Sequence, residues 1–253
     1  MIDEVNNILI IGSGNISWHL EKGFKAKGIN VNVLNARDFL NNEISYKELF
    51  LNSDLVIIAV IDSVISILAN RIFQKGLISD NQILVHTSGS IGMEVLENNK
   101  TKYGVFYPLQ TFTKGKEVDF SIIPFCIEAN NPICLENLKR IASLLSNNIY
   151  EINSIQRKKI HISAVFACNF VNHLLGIAKS ELDKESIPFE ILFPLIDETI
   201  SKAKISNPFS VQTGPAKRKD IKTMETHLMD LEENEKEIYK LISQNIINKE
   251  TNL

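Results

Sequence analysis

The sequence has few cysteines, only Cys126, Cys134 and Cys168 among 253 residues. An odd number without C-x-x-C spacing excludes a disulfide framework and a cysteine zinc site. The five histidines are scattered without ligand spacing, so we expect no metal. Three unpaired cysteines are typical of buried thiols in a reducing compartment, which predicts a cytoplasmic protein.

Positive charge is also sparse, with a net charge of −3 and an isoelectric point near 6.0. The one basic run, at residues 217–219, is too short for a phosphate backbone, which excludes a nucleic-acid partner. Asp3 and Glu4 replace the basic start of a secretory signal. We find no segment near the ~20 apolar residues of a membrane helix, and expect no membrane partner.

What the chain does have is a strand-like run followed by a glycine turn. The aliphatic run ILII, residues 8–11, suits a strand buried on both faces. Gly12 and Gly14 then allow a tight turn into a helix whose N-terminal amides attract an anion such as a pyrophosphate. Ser17 occupies the third glycine position of the G-x-G-x-x-G pattern and is small enough to keep helix and strand in contact. A plain strand-to-helix turn is the alternative.

A second strand candidate, INVNVL at residues 29–34, leads to Asn35 and Arg37 rather than to an acidic residue. An acidic side chain there would accept bonds from a ribose 2′-hydroxyl and repel a 2′-phosphate. Asn35 removes that repulsion and Arg37 supplies a planar cation, so the sequence favours NADP(H) over NAD(H). The alternative is that Arg37 is an ordinary solvent-exposed residue at the end of a loop.

Strand and helix signals alternate as far as residue 153, which predicts a parallel, doubly wound sheet. Beyond it the strand signal ends, and helices are predicted at 154–183, 188–206, 215–229 and 233–248. The middle of the first of these is apolar nearly all round, so we expect it to be enclosed by its own domain, the nucleotide domain and a second subunit. We therefore predict an α/β Rossmann-like domain at 1–153 and an all-α substrate and dimerisation domain at 154–253.

Polar side chains interrupt that apolar helix. Asn169 and His173 are one turn apart on one face, and Asn172 lies between them. A buried polar group needs a partner, which is either the protein itself or a ligand. If this face opens on the nucleotide domain, His173 is the best-placed general acid and Asn169 would orient the group being reduced.

Three loops follow predicted strands, where ligands bind to sheets of this class. They are the end of SDLVIIAV at Val60, HTSGS with Ser88 and Gly89, and YPLQT with Pro108 and Gln110. We interpret Ser88, Gly89, Pro108 and Gln110 as candidates for the wall of a nicotinamide pocket, with ordinary turn chemistry as the equal alternative.

The segment QTGPAKRKD, residues 212–220, predicts a helix start with Thr213 as N-cap and Pro215 in the first turn. Gln212, Thr213 and Arg218 near this start are also candidates for holding a substrate carboxylate.

Six blocks in order carry a resemblance: GSGNISWHL, SDLVIIAV, HTSGS, YPLQTF, NFVNHL and TGPAKRKD. They resemble bacterial proteins with a Rossmann-like domain followed by a DUF2520 domain. That family is similar to the 6-phosphogluconate-dehydrogenase-like NADP-binding superfamily, which includes pyrroline-5-carboxylate reductase and the F420-dependent NADP oxidoreductases.

The resemblance implies a pyrophosphate site, an adenosine ribose phosphate site at Asn35 and Arg37, and a homodimer formed through the helical domain. It also implies that YPLQT flanks the nicotinamide. The chain departs from β-hydroxyacid dehydrogenases, because Asn169 and His173 replace their lysine-to-asparagine pair. The implied pyrophosphate residues are Gly12, Ser13, Gly14, Asn15 and Ile16.

These observations predict an NADP(H)-dependent oxidoreductase that transfers hydride to or from a small carbonyl or imine in an interdomain cleft. His173 would exchange the proton, while Asn169 and Gln110 would position the substrate, with Asn172, Thr213 and Arg218 as further substrate contacts. The alternative is a non-catalytic nucleotide-sensing or partner-binding dimer.

Overall fold

The computed structural model describes residues 5–98 and 101–251. Contacts divide the chain into two compact units, Met1–Cys168 and Asn169–Leu253. The first unit is built on a seven-stranded sheet. Its strands are β1 Asn7–Ile11, β2 Asn30–Leu34, β3 Leu55–Ile58, β4 Ile83–His86, β5 Lys102–Pro108, β6 Phe125–Ala129 and β7 Ile149–Glu151.

The strand order is β2-β1-β3-β4-β5-β6-β7, and the first five strands are parallel. The chain moves outward from β1 to β2 and then crosses back to β3, so β1 and β3 flank the point where the winding reverses. Strand β6 is antiparallel to β5, which the predicted parallel sheet did not include. The connection between them contains no α-helix, only a short 3₁₀ turn at Phe120–Ile122, whereas parallel neighbours are usually joined through a helix that crosses the sheet.

Residues of β1 explain why the sheet is covered on both faces. Ile8 and Ile10 belong to one apolar core and Leu9 and Ile11 to the other, and all four are fully buried. Alternate residues of a strand point to opposite faces, so a continuous aliphatic run fills both layers. The helices of this unit are α1 Asn15–Lys25, α2 Ala36–Asn41, α3 Lys47–Leu51, α4 Asp62–Gln74, α5 Pro132–Ser143 and α6 Ser154–Ala164.

The second unit is helical in its described residues. A π-helical segment, Val165–Phe170, spans the boundary between the units. The helices that follow are α7 Val171–Lys184, α8 Phe193–Ile205, α9 Ile221–Asp230 and α10 Glu233–Thr251.

The predicted start of α9 was wrong. Residues 213–219 form turns, with Gly214 at φ +104°, and the helix begins at Ile221. Asp220 is the N-cap, because its carboxylate accepts a hydrogen bond of 3.2 Å from the Thr223 amide. Asp and Thr are both good capping residues, and Pro215 drew the prediction to the earlier of the two.

The long apolar helix also differs from expectation. Residues Ser154–Lys184 form 31 residues of helix with a mean hydropathy of 1.5 in the most apolar window, long and apolar enough to cross a membrane by length and composition. The prediction that no segment approaches this length was therefore wrong. None of that window is buried within the chain, so the chain alone does not enclose the helix. Cys168 on it is exposed, whereas Cys126 and Cys134 are buried as predicted.

Candidate functional site

The turn after β1 depends on Gly12. Its φ of +135° is one that side-chain-bearing residues rarely adopt. A Cβ atom there would lie 2.0 Å from the carbonyl oxygen of Ala59, which follows β3. The Gly12 amide donates to the Leu34 carbonyl at the end of β2, at 2.8 Å. The glycine therefore lets the ends of three adjacent strands close on one turn.

Ser17 performs the packing role predicted for the third motif position. Its side chain is fully buried, and its Oγ lies 3.3 Å from the same Ala59 carbonyl. A hydroxymethyl group thus fits between α1 and β3, and the hydroxyl is satisfied by donating to backbone. A bulkier residue would push the helix away from the sheet.

The N-terminus of α1 has the properties of an anion site. Gly14 is its N-cap and forms no side-chain capping bond, and the first turn contains no acidic residue. Ser13, Gly14 and Asn15 are exposed, and a Cβ on Gly14 would meet no atom within 4 Å. The first-turn amides therefore face open space with a positive helix end behind them. Because no side chain caps these amides, they are available to a bound anion, which favours the ligand interpretation.

Asn35 connects this turn to the end of β2. Its Nδ2 donates to Ser13 Oγ at 3.2 Å, and its Oδ1 accepts from the Arg37 amide at 2.9 Å as the N-cap of α2. The Arg37 side chain is exposed and forms no ion pair with residues 5–98 or 101–251. The structure thus brings Ser13, Asn35 and Arg37 to the same edge of the sheet as the glycine turn.

The loop after β4 is held by its own side chains. His86 is buried; its Nδ1 accepts from the Ser88 amide at 3.1 Å and its Nε2 donates to the Gly92 carbonyl at 3.3 Å. Burial, and to a lesser extent the nearby Arg157 cation, lowers the pKa of His86 to about 4. The hydroxyl of Ser88 accepts from the amides of Ser90 and Ile91, both at 3.0 Å. His86 is therefore a neutral structural residue, and Ser88 shapes the turn.

A buried arginine joins α6 to this loop. The Arg157 side chain is 1% exposed; its Nε donates to the Ser88 carbonyl at 3.2 Å and its Nη2 to the Ile91 carbonyl at 2.6 Å. Its Nη1 forms an ion pair with Glu128 of β6. Ser154 donates twice to Glu128, through its amide at 2.8 Å and its hydroxyl at 2.7 Å. A complete set of partners lets this charge pair stay buried.

His161, one turn beyond Arg157, was missed in the sequence analysis. Its Nδ1 lies 3.2 Å from Tyr107 Oη, and its ring lies against the backbone of Gly89. Burial raises the pKa of Tyr107 to about 12. The sequence did contain a signal for it. Arg157 and His161 are polar residues four positions apart, near the start of the helix that follows the last strand.

The remaining predicted residues are distributed as follows. Val60 is half-buried just after β3, and Pro108 is buried at the end of β5. Gln110 is exposed, and its Oε1 accepts from the Thr111 amide at 2.7 Å, so its side chain folds onto its own loop. Val60, Ser88, Gly89 and Pro108 thus all lie where parallel strands β3, β4 and β5 end.

The predicted proton-transfer residues lie on the second unit. Asn169, Asn172 and His173 are exposed, and their side chains form no hydrogen bond with any residue in the described part of the chain. Asn169 lies inside the π-helical segment, a local widening that often marks functional positions in helices. Their assignment as catalytic residues stays a prediction.

Thr213 and Arg218 lie in the turns before α9, and both are exposed. Thr213 lines a half-open cavity of about 290 Å³ within the second unit, whose walls are mainly isoleucine and leucine side chains of α7 and α10. Arg218 is not among the lining residues. No cluster of three or more candidate metal ligands occurs in residues 5–98 and 101–251.

The class of protein follows from these features: a Rossmann-like α/β unit, with a glycine turn at the winding reversal, followed by a helical unit. The chain belongs to the family of proteins with a Rossmann-like domain followed by a DUF2520 domain. The model of the Rossmann-like domain matches residues 30–110, and that of the "Domain of unknown function (DUF2520)" matches residues 123–246. The predicted family and fold class are confirmed.

Solved structures agree with this family. The crystal structure of the "putative NADP oxidoreductase BF3122" from Bacteroides fragilis is 37% identical, with a TM-score of 0.83 over 98% of this chain and 100% of that chain. A pyrroline-5-carboxylate reductase from Coxiella burnetii is 14% identical, with a TM-score of 0.54 over 98% of both chains. An imine reductase from Myxococcus stipitatus in complex with NADP+ is 11% identical, with a TM-score of 0.58 over 96% of this chain and 92% of that one. The latter two similarities show the fold alone. No curated protein matches the sequence.

Proposed function

We propose that the protein is an NADP(H)-dependent oxidoreductase that transfers hydride between C4 of the nicotinamide and a small carbonyl or imine. The observation that carries this proposal is the uncapped N-terminus of α1 behind the Gly12 turn, beside Asn35 and Arg37. The similar Bacteroides fragilis protein is described as an NADP oxidoreductase, and the more distant structures include reductases, which supports the reaction class.

The residues present fit a dinucleotide. A Cβ on Gly12 would collide with backbone, whereas the space above Gly14 is open, so the turn leaves room for a phosphate where its amides point. Arg37 offers a planar cation to a 2′-phosphate. When bound, the nicotinamide supplies the hydride chemistry and the protein supplies binding and orientation. The proposed cofactor residues are Gly12, Ser13, Gly14, Asn15, Ile16, Asn35, Arg37, Val60, Ser88, Gly89 and Pro108.

For the substrate we keep the assignment made from the sequence. His173 would exchange the proton and Asn169 and Gln110 would orient the reacting group, because imidazole changes charge near neutral pH and amides bond carbonyl or imine atoms without changing charge. Asn172, Thr213 and Arg218 would contact the rest of the substrate.

The long helical segment Ser154–Lys184 supports a further proposal, that two copies of the chain form a dimer through this apolar segment. Ile162 is 43% exposed, Phe166 64%, Phe170 49% and Leu174 38%, at a spacing that places them along one stripe. A stripe of large apolar side chains on a charged protein marks an interaction surface.

The cofactor proposal is tested by melting-temperature shifts with NADPH and NADH. A ligand at a hundred times its dissociation constant adds ~2.7 kcal/mol to the folded state. We expect the larger shift with NADPH, and we expect Arg37→Ala to remove the difference between the two cofactors. Lys27→Ala is the matched control, because Lys27 is an equally exposed cation just before β2, at the opposite edge of the sheet.

No shift with either cofactor would contradict the proposal. NADPH binding without oxidation by any of a panel of ketones and imines would instead favour the alternative, a non-catalytic nucleotide-sensing dimer.

A further inference from the structure

His161 of α6 contacts Tyr107 of β5 and Gly89 in the loop after β4, at the same edge of the sheet as the Gly12 turn. Its Nδ1 is 3.2 Å from Tyr107 Oη near the end of β5, and the two rings meet edge to face at a centroid distance of 6.2 Å. A Cβ on Gly89, in the loop after β4, would lie 2.6 Å from Nδ1 and 2.8 Å from Cγ. The imidazole therefore occupies the space that the absence of a side chain at Gly89 leaves.

The position of the His161 ring is supported by Arg157 of the same helix. Arg157, one turn earlier on α6, donates to the carbonyls of Ser88 and Ile91 and pairs with Glu128. Two residues of α6, Arg157 and His161, thus contact the segment that carries Gly89. Such double anchoring holds the ring in one position, as pre-organised proton transfer requires.

Nε2 of His161 is the ring atom that remains available. The residue is half-buried, and Nε2 bonds to no residue in the part of the chain that the structure describes. The ring contacts Gly89 and Tyr107, and these residues belong to the two loops already proposed to flank the nicotinamide. A ring nitrogen without a protein partner at that position is suited to contact a ligand.

We propose that His161, in place of His173, donates and accepts the proton of the reduction through Nε2, and that Tyr107 is the positioning residue that fixes its tautomer. This inference rests on the proposed function. In the reductive direction, hydride adds to the carbon of the C=O or C=N bond and the π electron pair moves to the heteroatom. The heteroatom takes the Nε2 proton of the imidazolium, which leaves a neutral imidazole protonated on Nδ1. Water restores the Nε2 proton, so one hydride and one proton have been added to the substrate.

Tyr107 suits the positioning role because burial raises its pKa to about 12, so its hydroxyl stays neutral through the physiological range. A neutral phenol oxygen accepts from Nδ1–H without drawing off the proton. The other ionisable groups that act on Tyr107 are Cys126, Arg157 and Asp62, and His86 in the neighbouring loop is neutral above about pH 4. The one fixed positive charge among them, Arg157, is neutralised by Glu128.

The test compares His161→Asn, Tyr107→Phe and His173→Asn with the wild type. The side chain of His161→Asn can still bond Tyr107 from the Nδ1 position but has no exchangeable imidazole proton. We measure NADPH affinity by fluorescence titration, NADPH oxidation with a panel of ketones and imines across pH, and the ¹⁵N chemical shifts of the histidine rings with and without NADPH.

We expect His161→Asn to lose roughly 100-fold or more in the rate of reduction with unchanged NADPH affinity, as for removal of a general acid. The neutral ring of His161 should carry its proton on Nδ1, should move to the Nε2 form in Tyr107→Phe, and should shift when NADPH binds. The pH profile of Tyr107→Phe should shift as well, which a purely structural role for Tyr107 would not produce.

The outcomes are distinguishable. If the wild type does not bind NADPH, the proposed function fails and this inference fails with it. If NADPH binds but the His161 resonances do not respond, or if His173→Asn alone loses activity while His161→Asn keeps it, the inference fails and the proposed function stands. Equal loss of affinity and rate in His161→Asn would show a structural residue and would also overturn it.

Discussion

At the scale of single residues, His86 shows how burial links stability to pH. Its ring is enclosed and bonded through both nitrogens to backbone, and its pKa in the folded protein is about 4 rather than 6.5. As pH falls below 6.5 the unfolded chain gains this proton first, so the folded state is destabilised progressively until about pH 4, by a total of about 3 kcal/mol. Above pH 6.5 both states hold a neutral ring and the contribution is constant.

The prediction is that His86→Asn, which keeps an acceptor for the Ser88 amide, flattens the dependence of unfolding free energy on pH between 6.5 and 4. Urea titrations at pH 7, 5.5 and 4.5 measure it. Carboxylates affect both proteins alike, so the difference between the two curves isolates His86. Parallel curves would mean that the buried ring does become charged in the folded state.

Arg157 gives a second prediction at this scale. Replacing it with methionine leaves the Glu128 carboxylate in a site where its side chain is only 13% exposed, without its cation. Breaking a buried pair from one side typically costs about 3 to 5 kcal/mol. Lys25→Met, which breaks the exposed pair with Glu21, is the matched control and should cost under about 1 kcal/mol. Denaturant unfolding compares them, and equal losses would show that burial of the pair has no energetic role.

At the scale of secondary-structure elements, the two glycines of the turn between β1 and α1 have different roles: Gly12 is needed for folding and Gly14 for binding. Gly12→Ala should cost about 3 kcal/mol, because it combines an unfavourable φ with a contact of 2.0 Å to the Ala59 carbonyl. Gly14→Ala has free space and a φ of −80°, so it should cost less than about 1 kcal/mol, the usual range for an N-cap change. Both should weaken NADPH binding, Gly14→Ala by obstructing the amides. Thermal unfolding and NADPH titration of the pair measure this, and normal binding in Gly14→Ala would remove the amides of α1 from the site.

Local sequence patterns were sufficient to predict several of the strands and helices. The buried strands β1 and β3 were predicted from their runs of aliphatic residues, and α6 from the helical pattern after residue 153. In the structure the Asn153 side chain caps α6. The short helices α2 and α3 were not predicted, since one to two turns give too few residues for a helical period. The antiparallel direction of β6 was not predicted, because the hydrophobic pattern of a strand does not show in which direction it pairs with its neighbour.

At the scale of the whole molecule, the exposed apolar helix is the feature that a single chain leaves unexplained. We expect light scattering after size-exclusion chromatography to show a dimer, and Leu174→Glu to give a monomer, because a carboxylate in an apolar interface is not solvated. Ile44→Glu is the control, since Ile44 is 70% exposed on the first unit and should not change the mass. A monomeric wild type that sediments with phospholipid vesicles would contradict the dimer and favour a membrane surface.

The sequence by itself determined the local features of this protein. These are the strand buried on both faces, the turn that requires glycine, the small residue at position 17, and the change from strands to helices after residue 153. Each of these follows from sterics or burial within a few neighbouring residues. The tertiary structure alone decided which distant polar groups meet. Tyr107 and His161 are 54 positions apart, and Glu128 and Arg157 are 29 apart. Their pairing depends on how helix α6 packs against the ends of β4, β5 and β6, and hydrophobic periodicity records that a face is buried but not which residue lies opposite it.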